Sequence, residues 1–264
     1  MRTTNRFQVL LLCLFAYATS AHSQSYTPLS LPVQQGNYET FEVSEIRVVP
    51  ITNDLEHPWG MAFRDNGAIL VTERGKGTLR VIRNGELLER GITGIPEVDT
   101  GNIRAGLMDI KLHPDDDSIV YLTYSKPLEF EGEMERTVAL ARGSLEGDEL
   151  RDVRDIFVAE GVDTGVAASR LQFAPDGKLL MSVGGSYVFA ATGEYAQDVS
   201  SHFGKLLRLN DDGSAATDNP FVGNPNYQPE IYSIGHRNQL GLGFHPVTGE
   251  LWAVENGPQG GDEA

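Results

Sequence analysis

Short alternating runs of apolar and polar residues, broken by Gly, Asn and Asp, fill the chain from about residue 40 onwards. Four segments share one plan, in which an apolar run is followed by a turn rich in Pro, Asp or Gly and by a second apolar run. They cover residues 61–71, 109–122, 171–180 and 242–252. Alternation predicts half-buried β-strands, and the turn clusters reverse the chain between them. No long amphipathic helix is indicated.

The equivalent apolar position of this repeated unit recurs at Phe63, Leu112, Phe173 and Phe244, which are 49, 61 and 71 residues apart. A strand-built repeat of this size predicts the blades of a β-propeller, and the uneven spacing predicts variable loops between blades. An all-β sandwich would explain the strands but not the recurring unit, so it ranks second. The sequence therefore predicts an all-β fold of the propeller type.

The N-terminus has the pattern of a secretory signal peptide. Arg2 and Arg6 precede a short apolar run and then a group of small residues. The apolar run is shorter than the ~20 residues that cross a bilayer, so no membrane span is expected. We predict a signal peptide at 1–23, a flexible lead-in at 24–39 and a partial propeller domain at 40–264. The predicted location is periplasmic or secreted.

Charge and cysteine content exclude several functions. The net charge of -16 disfavours nucleic acid and anionic membranes as partners, while acidic loops can collect calcium. The single cysteine, Cys13, lies in the predicted signal, so the exported chain has no thiol nucleophile or disulfide. Serine-nucleophile, zinc-protease and dinucleotide-binding motifs are all missing from the sequence.

Seven short motifs are distributed between residues 55 and 263. They are L-E-H-P-W-G-M-A-F from Leu55, G-L-M-D-I-K-L-H-P-D from Gly106, S-R-L from Ser169, A-Q-D from Ala196, G-K-L-L-R from Gly204, G-H-R-N from Gly235 and E-N-G-P-Q-G-G-D-E from Glu255. Together, and in this order, they resemble the glucose/sorbosone dehydrogenase family, whose members are soluble quinoproteins that use pyrroloquinoline quinone (PQQ). Within that family the chain is more similar to the aldose dehydrogenase branch.

The resemblance implies a six-bladed β-propeller. Because four repeat positions are found, we expect a propeller truncated to about four blades. The resemblance also implies an oxidoreductase that oxidises the CH–OH group of an aldose sugar to a lactone, with PQQ and calcium as cofactors. A small-molecule sugar is the implied partner, and the sequence does not indicate the electron acceptor.

Site residues follow from the resemblance position by position. Arg237 and Asn238 match the family positions that hold the quinone. Gly257 and Pro258 match the residues whose backbone carbonyls bind calcium. Glu263 matches a side-chain calcium ligand of the aldose branch, expected at a separate structural site.

Three positions depart from the family pattern. The family's general base is a histidine at the position of Val166, and valine cannot accept a proton; general-base help is worth ~10²–10⁴-fold in rate. A quinone-contacting glutamine is replaced by Arg104, and an acidic residue by Gly185. We therefore assign no catalytic residue, with His236 as a weak candidate because it lies beside Arg237.

Several functions remain open from the sequence. The chain could be a PQQ-dependent aldose dehydrogenase, or a non-catalytic exported propeller that binds sugar, quinone or protein. It could also be an inactive truncated gene product. A calcium-dependent lactonase of similar shape would need converging acidic ligands that the sequence does not place.

Overall fold

A computed structural model describes residues 36–39, 41, 44–101, 104–162, 168–185, 189–257 and 261–264. The chain divides into two compact units, residues 1–49 and 50–264. In the first unit, β1 (Gly36–Tyr38) pairs antiparallel with β2 (Ile46–Val48). The predicted signal peptide lies outside the described residues, and β1 falls within the last residues of the predicted lead-in.

The second unit is built from antiparallel sheets, each made of strands that are consecutive in the chain. The first sheet contains β3 (Pro58–Phe63), β4 (Ile69–Glu73), β5 (Thr78–Arg83) and β6 (Glu86–Leu87). The second contains β7 (Leu107–His113), β8 (Asp116–Phe130), β9 (Glu133–Glu146) and β10 (Glu149–Val158). The third contains β11 (Leu171–Phe173), β12 (Leu179–Val183), β13 (Lys205–Leu209) and β14 (Ile231–Ile234), and the fourth β15 (Gln239–Phe244) and β16 (Leu251–Glu255). Among the described residues there is one helix, α1 (Phe189–Gln197), which lies between β12 and β13 in the chain.

The predicted strand–turn–strand unit is confirmed, and its turns use the same hydrogen bonds in different sheets. Between β3 and β4, the Arg64 N–H donates to the Ala68 carbonyl at 2.9 Å; between β11 and β12, the Ala174 N–H donates to the Lys178 carbonyl at 2.8 Å. An Asx side chain supports each turn; the Asp176 carboxylate, for example, accepts the Lys178 N–H at 3.0 Å. Side-chain bonding of this kind is why Asp and Asn mark these turns in the sequence.

The repeat positions identified in the sequence fall at the ends of the first strands of four sheets. Phe63, Phe173 and Phe244 are the last residues of β3, β11 and β15, and Leu112 is the penultimate residue of β7. Strand β3 packs against β7, β7 against β11, and β11 against β15. First strands that stand side by side, each followed by an outward meander, are the arrangement of propeller blades. The all-β, propeller-type prediction is confirmed.

The core lies between successive sheets rather than inside any one of them. One apolar cluster, which includes Leu79, Ile110 and Leu122, joins the first sheet to the second. Another, which includes Leu140 and Leu207, joins the second sheet to the third. Burial of these side chains is the main force that holds neighbouring sheets face to face. Among the described residues, no helix is both long and apolar enough to span a bilayer.

Strands β3 and β7 approach each other closely at Gly60. A Cβ atom at this position would lie 2.7 Å from Asp109 Oδ1 and 2.9 Å from the Asp109 Cα. Because the second neighbour is backbone, no side-chain rotation can relieve the clash. Glycine at residue 60 therefore sets the distance between the first two sheets.

Candidate functional site

Arg237 and Asn238, which the sequence predicts to hold a quinone, lie just before β15, at the start of the first strand of the fourth sheet. In an antiparallel meander, the start of the first strand lies beside the end of the second strand, at the same end of the sheet. This rule places the segment before β15, with Arg237 and Asn238, beside the segment after β16, with Asn256 and Gly257. The Asn256 N–H donates to the Asn238 carbonyl at 3.1 Å, in agreement with that placement.

Hydrogen bonds tie this end of the fourth sheet to the third. The Ala168 N–H donates to Asn238 Oδ1 at 3.0 Å. The Gly185 N–H donates to the Arg237 carbonyl at 2.5 Å, and the Gly184 N–H donates to the Ala168 carbonyl at 2.9 Å. Gly185, which departs from the family pattern, thus contributes its backbone here. The two residues predicted to hold a quinone are fixed by the adjacent sheet.

The guanidinium of Arg237 lies among oxygens of the segment that follows β16. Its Nη1 donates to the Asn256 carbonyl at 2.7 Å, to Asn256 Oδ1 and to the Gly257 carbonyl at 3.2 Å. The backbone N–H of Arg237 donates to Glu255 Oε2 at 3.2 Å. Three oxygens therefore converge on a single cationic nitrogen, an arrangement that favours positive charge.

The residues predicted to bind calcium are only partly brought together. Glu263 forms a backbone bridge with Glu255, with N–O distances of 3.0 and 3.1 Å, and its side chain is exposed. Asp262 Oδ1 accepts the Gly257 N–H at 3.0 Å. Pro258 lies outside the described residues. Within the described part of the chain, no three His, Cys, Asp or Glu side chains form a group that could hold a metal.

His236 has both ring nitrogens beside polar partners. Its Nε2 lies 2.7 Å from Ser233 Oγ, and its Nδ1 lies 3.5 Å from Glu255 Oε2. The same Glu255 oxygen accepts the Arg237 N–H. His236 is therefore hydrogen-bonded to Ser233 and lies near Glu255, and its role as a base remains a prediction. Val166, the position of the missing base, lies outside the described residues.

Arg170 connects the first strands of four sheets, which the sequence analysis did not anticipate. Its Nε donates to the Leu240 carbonyl at 2.7 Å and its Nη1 to the Trp59 carbonyl at 2.9 Å. Nη1 also lies 3.5 Å from Asp109 Oδ1, whose partner oxygen accepts the Leu171 N–H at 2.8 Å. Burial raises the pKa of Asp109, although the Leu171 N–H and Arg170 favour its charged form. The S-R-L stretch was the only sequence signal for this residue.

Trp59 is flanked by cationic side chains. The guanidinium carbons of Arg74 and Arg170 lie over its indole ring, 4.5 and 4.9 Å from the ring centroid. Burial, and then the nearby positive charge of Arg104, lower the pKa of Arg74. Arg104 lies just before β7 and Arg74 just after β4, so both are at the end of the sheets that carries Arg237. An arginine cluster has formed on a chain of net charge -16.

A buried lysine supports the segment that leads to Arg237. Lys205 is fully buried, and its Nζ donates to the carbonyls of Tyr195 at 2.6 Å and Phe203 at 2.8 Å. Burial lowers the pKa of Lys205 to about 8. Tyr195 belongs to α1, and the next residue, Ala196, accepts the Gly235 N–H at 3.0 Å. Lys205 thereby anchors the helix on which the G-H-R-N stretch rests.

Buried polar atoms without a hydrogen-bond partner, among those the structure describes, occur near the starts of the first strands. They include Trp59 Nε1, Ser169 Oγ and both amide atoms of Gln239, whose side chain is fully buried. Nearly all buried polar atoms in native proteins are paired with protein, water or ligand. These atoms mark a polar interior beside the predicted site.

Comparison with known proteins shows the same relationship as the motifs. The family model for glucose/sorbosone dehydrogenase matches residues 55–264. The uncharacterized protein slr1608 of Synechocystis sp. is 42% identical over 236 residues, which cover 83% of this chain and 56% of that protein.

Two solved structures have the same architecture. The apo form of the soluble aldose sugar dehydrogenase from Escherichia coli is 35% identical, with a TM-score of 0.72 over 79% of this chain and 60% of that one. The PQQ-bound aldose sugar dehydrogenase from Streptomyces coelicolor is 27% identical, with a TM-score of 0.60 over 81% of this chain and 60% of that one. The chain thus spans less than two thirds of the length of these relatives. Because the family model covers most of the chain, the protein belongs to the glucose/sorbosone dehydrogenase family.

Proposed function

We propose that this chain forms the cofactor-binding part of a sugar-oxidising quinoprotein of the aldose dehydrogenase type. The observation that carries the proposal is the placement of Arg237 and Asn238, which the third sheet fixes beside the oxygens of Asn256 and Gly257. When bound, PQQ would supply the acceptor for hydride from the sugar. The PQQ-bound relative supports this choice of cofactor.

The described residues fit a quinone that bears carboxylates. Only Nη1 of the Arg237 guanidinium donates to the Asn256–Gly257 segment, and Nε and Nη2 form the edge that suits a carboxylate. Asn238 uses Oδ1 to accept the Ala168 N–H, and its amide nitrogen is the donor that remains for a ligand. Arg237 and Asn238 would therefore bind and orient the cofactor.

Calcium would compete with Arg237 Nη1 for the oxygens of the Asn256–Gly257 segment. The Asn256 carbonyl, Asn256 Oδ1 and the Gly257 carbonyl are the hard oxygen ligands that calcium prefers, but in this structure they accept hydrogen bonds from the guanidinium. Calcium would therefore bind them only where Nη1 has moved away. We propose that Gly257 and Pro258 supply carbonyl ligands at this site, and that Glu263 serves a separate structural calcium site.

We infer that the chain binds its ligands without rapid turnover, because the valine at position 166 cannot take the proton from the anomeric hydroxyl. The histidine nearest to the predicted site in sequence, His236, is held by Ser233 and Glu255. A non-catalytic exported propeller that binds sugar, quinone or protein is therefore the second candidate, favoured by Val166, Arg104 and Gly185 together.

A melting curve of the chain, with and without PQQ and calcium, tests the proposed cofactors. We expect the midpoint to rise when both are present, because a ligand that binds only the native state stabilises it. No response to either ligand would refute the cofactor proposal.

Dye reduction with aldoses then separates the two candidate functions. We expect slow or no reduction by the natural chain and a gain of about 10²-fold or more for Val166→His, with Val162→His as a control nearby in sequence. Fast turnover by the natural chain would contradict the missing-base argument.

The proposed location is periplasmic or secreted, and the proposed partner is a small-molecule sugar. The N-terminal pattern of Arg2, Arg6 and the following apolar run supports export. Cell fractionation of a tagged chain, compared with one in which both arginines are replaced by glutamate, tests it. Retention of both forms in the cytoplasm would refute export.

A further inference from the structure

We propose that the projecting hairpin, residues 126–137 at the shared end of β8 and β9, is a docking surface for a basic protein. A protein bound there would contact apolar side chains at the tip of the hairpin and the carboxylates beside them. The surface shares no residue with the proposed quinone and calcium sites, so it does not depend on the proposed function.

The projecting hairpin extends past the rest of the second sheet. At this end, β7 pairs with β8 only as far as Tyr124, and β10 pairs with β9 only as far as Ala139. Among the described residues, the five residues of β8 from beyond Ser125 to Phe130 are paired only with β9. At about 3.4 Å per residue, they extend the two-stranded ribbon by roughly 17 Å. The ribbon begins where β7 begins, so it projects from the end of the sheets at which Arg237 precedes β15.

The base of the projecting hairpin is held by two ion pairs. Lys126 Nζ lies 2.7 Å from Asp155 Oδ2 on β10, and Arg136 Nε lies 3.0 Å from Asp99 Oδ2 in the segment before β7. Both basic residues of the hairpin are therefore used at its base. Its other charged residues are all acidic and have no ion-pair partner within the part of the chain that the structure describes: Glu129, Glu131, Glu133 and Glu135.

Three apolar side chains of the projecting hairpin each have a glutamate as cross-strand partner. The pairs are Leu128↔Glu135, Phe130↔Glu133 and Met134↔Glu129. Phe130 is 43% exposed, and Met134 is 71% exposed. Directly opposed side chains of an antiparallel pair lie beside each other on one face, so each apolar contact has a carboxylate next to it.

Protection of the strand edges explains the glutamates but not the apolar side chains. Beyond Ser125, neither edge of the ribbon is paired with another of the described strands, and charged residues commonly keep such edges from aggregating. Edge protection alone would favour polar residues in place of Phe130 and Met134. Exposed apolar surface that is rimmed by polar groups is instead typical of a protein contact site.

Charge selects a basic protein as the occupant. The projecting hairpin is acidic, and the whole chain has a net charge of -16, so nucleic acid, an anionic membrane or a second copy of this chain would be repelled. Small ligands bind in concave sites, and a projecting ribbon offers them little enclosed surface. The surface therefore fits a protein whose lysines or arginines surround an apolar contact.

Calorimetric titration of the whole chain with cytochrome c, a small basic protein, tests the surface. Acetylated cytochrome c, whose lysines are uncharged, is the control probe. We expect saturable binding of the basic form at low ionic strength, weaker binding at physiological ionic strength, and no binding of the acetylated form. No binding of cytochrome c at low ionic strength would overturn the proposal.

Matched pairs of substitutions locate the charged part of the surface. Glu129→Gln with Glu133→Gln removes two charges from the projecting hairpin, and Glu86→Gln with Glu89→Gln removes two exposed charges at and just after β6. The hairpin pair should weaken the affinity about threefold to tenfold, the range for two surface ion pairs, and the control pair less than about twofold. Equal effects would show attraction by net charge alone and would overturn the docking surface.

Phe130→Ser tests the apolar contact. Val247→Ser is its control, because Val247 is 87% exposed in the turn between β15 and β16. We expect Phe130→Ser to weaken cytochrome c binding about threefold or more and Val247→Ser to leave it unchanged. Unchanged affinity of Phe130→Ser, with a melting midpoint equal to that of the natural chain, would also count against the proposal.

Carbodiimide cross-linking maps the contact directly, because it joins carboxylates to lysines that lie against them. Mass spectrometry should find the lysines of cytochrome c joined mainly to the four glutamates of the projecting hairpin. Cross-links spread evenly over the acidic residues of the chain would overturn the proposal. If PQQ and calcium leave the melting midpoint unchanged while the cross-links fall on the hairpin, the proposed function fails and the docking surface stands.

Discussion

Replacement of Arg170 by methionine is expected to destabilise the second unit by about 3–5 kcal/mol, the range for breaking a buried ion pair from one side. The side chain is 23% exposed and donates to the carbonyls of Trp59 and Leu240, which belong to different sheets. Its removal also takes away the cationic side chain that lies 3.5 Å from the buried carboxylate of Asp109. Methionine has a similar length but no charge, so it also removes the cation–π contact between the Arg170 guanidinium and the Trp59 ring.

The measurement is equilibrium unfolding in urea, followed by tryptophan fluorescence and circular dichroism at pH 7.5. Arg151→Met is the control, because Arg151 is 55% exposed and pairs with Glu146 and Glu149 on the surface. Such surface pairs contribute about 0–1 kcal/mol. If Arg170→Met and Arg151→Met differ by less than 1 kcal/mol, the assignment of Arg170 as a connector of sheets is wrong.

The destabilisation should also depend on pH. Asp109 has a folded-state pKa above its ordinary value of 3.8, so the folded state binds its proton more tightly than the unfolded state does. Loss of Arg170 raises that pKa further, and the penalty for the buried charge disappears as Asp109 takes up a proton. The difference between Arg170→Met and the natural chain should therefore be smaller at pH 5 than at pH 7.5. A difference that grows on acidification would refute this explanation.

Three further predictions follow from the same structure. Burial lowers the pKa of Lys205 to about 8 in the folded state, so the cost of burying its charge is relieved as pH rises from 8 towards 10.5. Relative to Lys205→Met, the free energy of unfolding of the natural chain should therefore rise by about 2 kcal/mol between pH 8 and pH 10. Urea unfolding at pH 8 and at pH 10 measures this difference, and no relative rise would contradict the explanation. Gly60→Ala should lower the free energy of unfolding by about 1–3 kcal/mol, because its Cβ would clash with the β7 backbone. Gly243→Ala is the control, since no atom lies within 4 Å of its Cβ, and equal changes in melting midpoint for the two variants would disprove the close approach. Arg237→Gln should weaken PQQ binding about tenfold or more by calorimetry, and unchanged affinity would remove this residue from the quinone site.

The sequence was most informative about the repeated elements. Phe63, Leu112, Phe173 and Phe244 were placed at the ends of equivalent strands because each precedes the same turn chemistry. That chemistry is local, so it can be read from a few neighbouring residues. The helix α1 was not predicted, because its short sequence has neither a cap signal nor a strong amphipathic pattern.

The contacts between sheets could not be predicted in the same way. In the sequence Arg170 stands only within the short S-R-L motif, and nothing local indicates that it bonds Trp59, 111 residues earlier in the chain. Lys205 also looked like an ordinary strand residue, since its burial depends on the position of α1. The predicted pair Arg237 and Asn238 does lie together, but their hydrogen-bond partners on the third sheet depend on the stacking of the sheets.

The consecutive order of strands within each sheet has a consequence for folding kinetics. Sheets of sequential hairpins have low contact order within themselves, so each sheet can form soon after its strands leave the ribosome. We expect the bonds of Arg170, which span 61 to 111 residues, to form late, after the sheets have stacked. Contacts absent from the transition state slow unfolding without speeding folding. Arg170 should therefore slow the unfolding of the second unit. Arg170→Met should accelerate unfolding in stopped-flow experiments and leave the folding rate nearly unchanged.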